Sequence, residues 1–586
     1  MSRDYSQVCS FFQWQCAAIM NNMFSSLQFP RLLSRNMKWL ENKQSTILSA
    51  ALIITIANIA SSLAGLVRSR LLISYFFNSE SSQQAYEALL VAFQIPDMLF
   101  QLIVLGAVSA AFIPLFAKVR RRSRPEAFRL ASVVLNALLL VFTATAILVA
   151  IFAEPLTHWR TGDAFTPEQI AIVVKLTRIM LVAQIFFAAS NIMSSMLQSY
   201  QRFIIPSISP ILYNFGIVAG VFLLEPMLGI YAAGIGVCIG AFLHFLIQVP
   251  FVLKMGFRFG WSLDFSIPES KQLLKLIPPR FLTIATTEFQ RIALAFFATS
   301  LGNLSFVVIK HALDLMILPI RLFGVPIGQA SLPFLSEESA KADQKRFQTL
   351  VTQSLNQITF FALPAAVLIL ILRVPFVRLV FGTKNFPWET TLLMGKALAV
   401  IALSIPAQAV VQLLIRAFHS LKDTVTPLIV TVITVATYMI GAAGVIFLTD
   451  FGVLGLAAVT GIIAILELGL FLFFLEKRMP GCLDQSFLHS QLKMMAAGFF
   501  MAVFLYLPFR ILDELVFDTS RTMELLGLTI TTGTIGMLVY VYFAALLAIP
   551  ELKIIGTILD SIGSATRKLV AQNPELIVDT MDDDSL

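Results

Sequence analysis

The chain has 586 residues, 58% of them hydrophobic and only 13% charged, with a mean hydropathy of +0.83. A soluble domain carries about a quarter charged residues, so a soluble enzyme or soluble binding module is excluded and the composition describes a polytopic membrane protein. The formal charge of +8 does not point to nucleic acid, because Lys and Arg gather in alternate loops between apolar runs, which is a topology signal.

The first 45 residues hold one short apolar run, residues 9–20, followed by Arg31, Arg35, Lys38 and Lys43. The run is too short to span and has no small-residue cleavage site, so it predicts a cytoplasmic amphipathic lead. About fourteen apolar segments of roughly twenty or more residues then follow. They lie at 46–76, 85–117, 127–152, 171–198, 203–224, 229–252, 273–301, 304–335, 350–381, 391–418, 424–448, 453–475, 492–512 and 525–549. The second is the organising stretch: it carries Glu87 and Pro96-Asp97 inside an apolar run, then ends in Lys118, Arg120, Arg121, Arg122 and Arg124. With the N-terminus inside, basic clusters fall on cytoplasmic loops almost throughout, so N-in and C-in with an even number of spans is expected.

An internal repeat runs through this pattern. Pro114 and Pro333 are 219 residues apart, as are Phe128 and Phe347, and Arg202 before Pro206 is answered by Lys422 before Pro427. The expected fold is therefore all-α, with about fourteen transmembrane helices in two six-helix lobes related as pseudo-twofold parallel repeats, a transporter design. Two C-terminal helices follow. The expected domains are the lead (1–45), a first lobe (46–255), a cytoplasmic linker (256–270), a second lobe (271–476), the last two spans (477–550) and a polar cytoplasmic tail (551–586).

No phosphate loop, HExxH, nucleophile elbow or metal-ligand spacing occurs, and Cys9, Cys16, Cys238 and Cys482 are scattered. Transport without covalent chemistry, and without a cofactor or metal, is the expectation. The informative residues are charges inside apolar spans, which are costly in lipid and should face the bundle interior. In the first lobe these are Arg68, Glu87 and Asp97; in the seventh and eighth spans they are Glu288, Arg291, Lys310, His311, Asp314 and Arg321. Glu288/Arg291 and Lys310/Asp314 have the spacing of internal pairs, equally compatible with holding helices together and with ligand binding. Lys310, His311 and Arg321 have only Asp314 to neutralise them locally, so they suggest a cationic wall for an anionic group such as a pyrophosphate. Glu467 is a lone acid in the twelfth span and a candidate ion-coupling residue. Pro96, Pro319, Pro326 and Pro364 sit where kinks form, with Gly65, Gly324 and Gly328 expected to permit close packing.

Three segments carry a family resemblance: Ala64-Gly65-Leu66-Val67-Arg68, Glu87 through Ile95-Pro96-Asp97, and Gly106-Ala107-Val108-Ser109-Ala110-Ala111-Phe112-Ile113-Pro114-Leu115-Phe116. So do Leu197–Phe203, Gly324-Val325-Pro326-Ile327-Gly328 and Phe418–Thr424 with Thr426-Pro427. In this order and spacing the chain resembles the MurJ/MviN family, the lipid II flippases of the MOP exporter superfamily, as a divergent member. The resemblance implies a V-shaped two-lobed transporter in the bacterial inner membrane. Its implied substrate is a polyprenyl-pyrophosphate-linked sugar-peptide of peptidoglycan synthesis, with membrane lipids and cell-wall synthesis proteins as partners. It also implies cavity arginines against the pyrophosphate, and carries over Arg68 and Glu87. The chain departs from the family where an arginine pair is replaced by Phe100 and Gln101, an acid by Leu105, the eighth-span Asp-Arg by Leu313-Asp314, and the first-span serine-arginine by Ser61-Ser62.

The expected function is thus lipid II flipping by alternating access, driven by a coupling ion or the membrane potential. Arg68, Arg291, Lys310 and Arg321 would be the cavity cations, and Glu87, Glu288 and Asp314 the charge network. The alternatives are an exporter of another lipid-linked oligosaccharide, a drug or ion antiporter, and a non-transporting membrane scaffold.

Overall fold

A computed structural model describes residues 47–105, 109–162, 164–264, 268–302, 304–341, 344–516 and 521–556. The predicted lead, the first residue of the first span and the tail beyond residue 556 lie outside them. Among the described residues every regular element is helical. The first unit of the chain order is α1 (Ile47–Phe76), α2 (Glu80–Ala92), α3 (Gln94–Leu99), a π turn (Phe100–Leu105), α4 (Ser109–Arg122), α5 (Arg124–Ile151) and α6 (Ala153–Arg160). Then come α7 (Pro167–Ser199), α8 (Ile204–Leu228), α9 (Tyr231–Leu246), α10 (Val249–Lys254) and α11 (Pro268–Ser300). They are followed by α12 (Ser305–Pro319), a second π turn (Ile320–Gly324), α13 (Val325–Lys341), α14 (Gln344–Ile371), α15 (Arg373–Phe381) and α16 (Trp388–Ala402). The remainder is α17 (Ile405–Ser420), α18 (Val425–Leu448), α19 (Gly452–Arg478), α20 (Gln485–Leu515) and α21 (Thr522–Leu546).

Among the described residues eleven helical runs are long and apolar enough to cross a membrane, with α2, α3 and the first π turn counting as one run and α9 with α10 as another, or twelve if α16 and α17 form one bent span. The other two of the fourteen predicted spans are also helical, but differ in character. The seventh, α11, carries Glu288 and Arg291 among other charges, and the eighth is interrupted at Pro319, where α12 passes into the π turn. Both are helices whose charges must be satisfied by protein or by water in a cavity.

The repeat seen in the sequence runs through the helices. The π turns end at Leu105 and Gly324, again 219 residues apart, and α5 and α14 are each 28 residues long. The backbone also turns left-handed at Gln201 (φ 61°) and Lys422 (φ 58°), just before α8 and α18.

By contacts the described chain divides into two compact units. Unit 1 takes the residues up to Asp314 with Val380–Ala397 and Leu428–Ile463; unit 2 takes Leu315–Leu379, Leu398–Pro427 and the residues from Ala464 onward. In unit 1 a continuous core joins α4, α5, α7 and α10 through Phe112, Phe116, Leu130, Phe142, Ile192 and Phe251. The pair α8/α9 approaches most closely, because Gly216 and Gly220 on one helix meet Gly240 and Gly236 on the other; a Cβ on Gly236 would lie 2.9 Å from the Ile217 carbonyl oxygen. Small residues four apart on both helices let the backbones touch where lipid provides no hydrophobic drive. Outward-facing Phe215, Phe222 and Leu223 on α8 are more than half exposed, as a lipid-facing surface requires. In unit 2 the core joins α14, α20 and α21 around Phe360, Met494, Met501, Leu505 and Tyr540, with the Tyr540 hydroxyl donating to the Phe360 carbonyl at 3.0 Å.

Candidate functional site

The polar interior of unit 1 is built around the break between α2 and α3. Pro96 has no N–H to give the carbonyl of Ala92. That carbonyl accepts instead from the Thr177 hydroxyl at 3.4 Å, and the neighbouring Val91 carbonyl accepts from the Arg160 guanidinium at 2.8 Å. Arg160 also donates to Gln94 Oε1 at 3.2 Å and is only 1% exposed. Arg160, in the segment between the third and fourth spans, is therefore a buried clamp on the broken helix. Burial pushes its pKa down to about 9, so it remains a cation at neutral pH.

The break places Glu87 and Asp97 on either side of it. Glu87 is buried, and its carboxylate accepts from the Phe306 backbone N–H at 3.2 Å, in the first turn of α12. The first N–H groups of a helix have no intrahelical partner and carry the positive end of its dipole, so a carboxylate there is stabilised twice. Next to Glu87, the buried Tyr86 hydroxyl lies 2.9 Å from His311 Nε2. One turn further along α12, Asp314 lies 3.4 Å from His311 Nδ1 and pairs with Lys310. Asp97 accepts from Gln184 at 3.2 Å.

The cations predicted in unit 1 reach this group differently. Arg68 on α1 is within electrostatic reach of both Tyr86 and His311, and its Nε is buried with no hydrogen-bond acceptor among the described residues. Arg291 pairs with buried Glu288 at 3.1 Å, yet its side chain stays 61% exposed. Lys310 stays 40% exposed beside Asp314, and both Arg291 and Lys310 act on Asp97. A cation that keeps an acid partner and still presents N–H donors to open space can exchange that partner for an incoming anion.

Two predicted residues belong to unit 2. Arg321 is exposed in the second π turn, and Glu467 is half-buried on α19. The sequence reading missed Tyr86 and the role of His311. Their pairing joins residues 225 apart, so no local spacing announces it; only the oddity of a histidine between Lys310 and Asp314 in an apolar run pointed there. Among the described residues no group of three His, Cys, Asp or Glu side chains is arranged to hold a metal ion.

The whole chain can be compared with known proteins. The family model described as lipid II flippase MurJ matches residues 73–523. The lipid II flippase MurJ of Burkholderia cenocepacia is 27% identical over 432 residues, 71% of this chain and 81% of that protein. That of Thermosipho africanus is 26% identical over 435 residues, 74% of this chain and 87% of that protein. A solved structure of lipid II flippase MurJ in an inward closed conformation superposes with a TM-score of 0.69 at 26% identity, covering 84% of this chain and 98% of that one. A multidrug resistance MATE transporter of the MOP superfamily, inward-facing, gives 0.61 at 14% identity over 74% of this chain and 99% of its own, a likeness of fold alone. A multi-pass helical membrane protein with intramembrane charges set around a broken second span, matched over most of its length, this chain belongs to the MurJ family of lipid II flippases.

Proposed function

We propose that this chain moves lipid II, the lipid-linked peptidoglycan precursor, from the inner to the outer leaflet of the bacterial inner membrane. The cycle is alternating access, with no covalent step and no cofactor, and both termini are cytoplasmic. The observation that carries this reading is the state of Arg291 and Lys310: both lie in helices that read as spans, both hold an acid partner, and both keep N–H donors on an open surface. A pyrophosphate bridging lipid and sugar offers more acceptor oxygens than one carboxylate and about two negative charges, so it can displace Glu288 and Asp314 from them. Arg68 and Arg321 supply further cations in their own units, and the Glu87 carboxylate on the α12 N-terminus is part of the charge network that changes with state. Glu467, half-buried in a span, is the candidate ion-coupling residue, with the membrane potential as the other energy source. Cell-wall synthesis proteins are the expected protein partners.

The experiment is complementation of a bacterium whose own lipid II flippase can be shut off, following survival and outer-leaflet access of the precursor together. Rescue by the wild-type chain, with loss of rescue in Arg291→Ala and Lys310→Ala at normal membrane levels, is the expected result. No rescue by a normally inserted wild-type chain would overturn the assignment. Rescue undiminished by both substitutions would remove Arg291 and Lys310 from the substrate site.

A further inference from the structure

A second cationic site lies away from the polar interior, where α5 begins. Here a cavity of about 500 Å³ is walled by Arg124, Arg129 and Arg258, with Ser132 on its side and Phe128 and Met255 as its apolar floor. The segment after α10 forms the far wall and is tied to α5. Asn136 Nδ2 donates to the carbonyls of Gly260 (2.8 Å) and Ser262 (3.2 Å), the rings of Phe128 and Phe257 meet edge to face, and Arg129 pairs with Asp264.

The charge here is not consumed by local acids. Glu126 is taken by Arg122 and Asp264 by Arg129. Arg124 donates to the Tyr200 hydroxyl and the Met255 carbonyl, both at 3.3 Å, and Arg258 only to the carbonyls of Leu253 and Phe257. Among the described residues neither guanidinium meets a carboxylate. Arg120 adds a further cation, stacked 4.2 Å over the Tyr200 ring. Guanidiniums held by neutral acceptors keep their charge and spare N–H donors, the arrangement that suits a phosphate.

The depth of the site follows from length. The 28 residues of α5 make a rod of about 42 Å at 1.5 Å per residue, against a hydrocarbon layer of about 30 Å. Leu140, Val141, Ile147 and Leu148, each half exposed or more, mark the part of α5 that faces lipid. The first turns of α5, with Arg124 and Arg129, therefore project past the acyl chains to headgroup level. Trp261, 55% exposed on the tied segment, sits beside them as an interfacial tryptophan would.

We propose that this cavity binds the phosphodiester headgroup of an anionic glycerophospholipid, with Arg124 and Arg258 on the phosphate, and Phe128 and Met255 against the glycerol and the first methylenes. Such a site is independent of flipping: it is a fixed lipid position on the outside of unit 1. Each cation near a membrane surface contributes enough that removing two should weaken binding about thirty-fold.

The test uses the full-length protein purified in detergent and depleted of lipid. Phosphatidylglycerol, phosphatidylcholine and soluble glycerol phosphate are each titrated while thermal stability and bound lipid by native mass spectrometry are followed. Phosphatidylglycerol should stabilise and stay bound where phosphatidylcholine does not, and the double variant Arg124→Gln/Arg258→Gln should need about thirty-fold more of it. Equal binding of phosphatidylcholine, or an unchanged double variant, overturns the proposal. Glycerol phosphate matching the lipid at equal concentration also overturns it, in favour of a soluble phosphate ligand. If the double variant is not monodisperse, quenching of tryptophan fluorescence by brominated lipid decides on the native chain, with Trp261→Phe as the blank. Quenching through Trp261 should be stronger with the brominated anionic lipid, and equal quenching by brominated phosphatidylcholine rejects the site.

Discussion

The chain contains two broken helices, one in the second span at Phe93–Pro96 and one in the eighth at Ile320–Gly324, and they are held in opposite ways. After α2 the break at Phe93–Pro96 is fastened by side chains: Thr177 reaches the Ala92 carbonyl that Pro96 leaves without its helical donor, and Arg160 reaches the neighbouring Val91 carbonyl. After α12 the π turn Ile320–Gly324 is fastened by contact of backbones. A Cβ on Gly324 would lie 2.7 Å from the Ala409 carbonyl oxygen and 2.8 Å from its Cα, so α17 rests directly on the turn. One break is thus held by polar donors and the other by close backbone packing that only a missing side chain allows. A polar clamp can be exchanged bond by bond, whereas a glycine contact tolerates sliding but no bulk. This difference makes each break testable by a different substitution.

The largest effect is expected at Gly324. Gly324→Val forces α17 away from the turn, because the obstacle is backbone and cannot rotate aside. Overpacking of this kind costs about 3 kcal/mol, visible as a lower Tm of the purified protein and as lower membrane levels. The corresponding change at Gly65 should be nearly silent: the sequence suggested close packing there, but its nearest neighbour is Asn214 Oδ1 at 3.8 Å, an ordinary contact. A Tm unchanged by Gly324→Val would mean that the second break is not held by this contact.

Next is Arg160→Ala, which strips the donor from the Val91 carbonyl and leaves a void in a buried site. An unsatisfied buried acceptor costs about 1–3 kcal/mol, so a Tm loss somewhat below that of Gly324→Val is expected, with Arg160→Lys recovering part of it through a single donor. Thr177→Val should add a smaller loss at the adjacent Ala92 carbonyl. If Arg160→Ala matches the wild type, the clamp does not hold the first break.

What of this was legible in the sequence depends on the range of the interaction. The helical runs, the repeat offset and the Glu288/Arg291 and Lys310/Asp314 pairs follow from local composition and helical spacing, and the structure has helices, offset and pairs at those places. The glycines of α8 and α9 had the spacing of a helix-contact motif and went unread because no charge drew attention to them. Arg160 on Val91, Glu87 on Phe306 and Tyr86 on His311 join residues 69, 219 and 225 apart. No periodicity encodes such partners, and a buried arginine looks in sequence like any interfacial one. The lead before residue 46 and most of the tail lie outside the described residues.

Glu87 links the first break to α12, and Glu87→Gln separates charge from hydrogen bonding there. Glutamine still accepts from the Phe306 N–H but forfeits the attraction to the helix N-terminus, which contributes about 0.3–1 kcal/mol and up to about 2 when partly buried. A Tm loss of a degree or two, with a larger loss of transport, is expected if Glu87 belongs to the charge network as well as the cap. Equal small losses of both would confine it to capping.

The smallest effect sharpens the comparison between the repeats at their loops. Gln201 and Lys422 both turn left-handed, but α8 starts from Phe203 with no side-chain cap, whereas α18 is capped by Asp423. Asp423 accepts from the N–H groups of Val425 (3.0 Å) and Thr426 (2.9 Å) and from the Thr426 hydroxyl (2.7 Å). Burial alone would raise its pKa, but the bonds from Thr426 and Val425, aided by Arg478, outweigh this and hold it below the usual carboxylate value. A carboxylate depressed in the folded state contributes stability that is fully present above its unfolded pKa, about 3.9, and is lost as pH falls through the lower folded value. Asp423→Ala should therefore cost about 1 kcal/mol at neutral pH, and the gap between wild type and variant should close in acid below about pH 4. Arg202, which follows left-handed Gln201 as Asp423 follows left-handed Lys422, offers α8 no acceptor, so Arg202→Ala should show no such closing gap. A difference between wild type and Asp423→Ala that persists undiminished at low pH would assign the loss to packing and not to the charged cap.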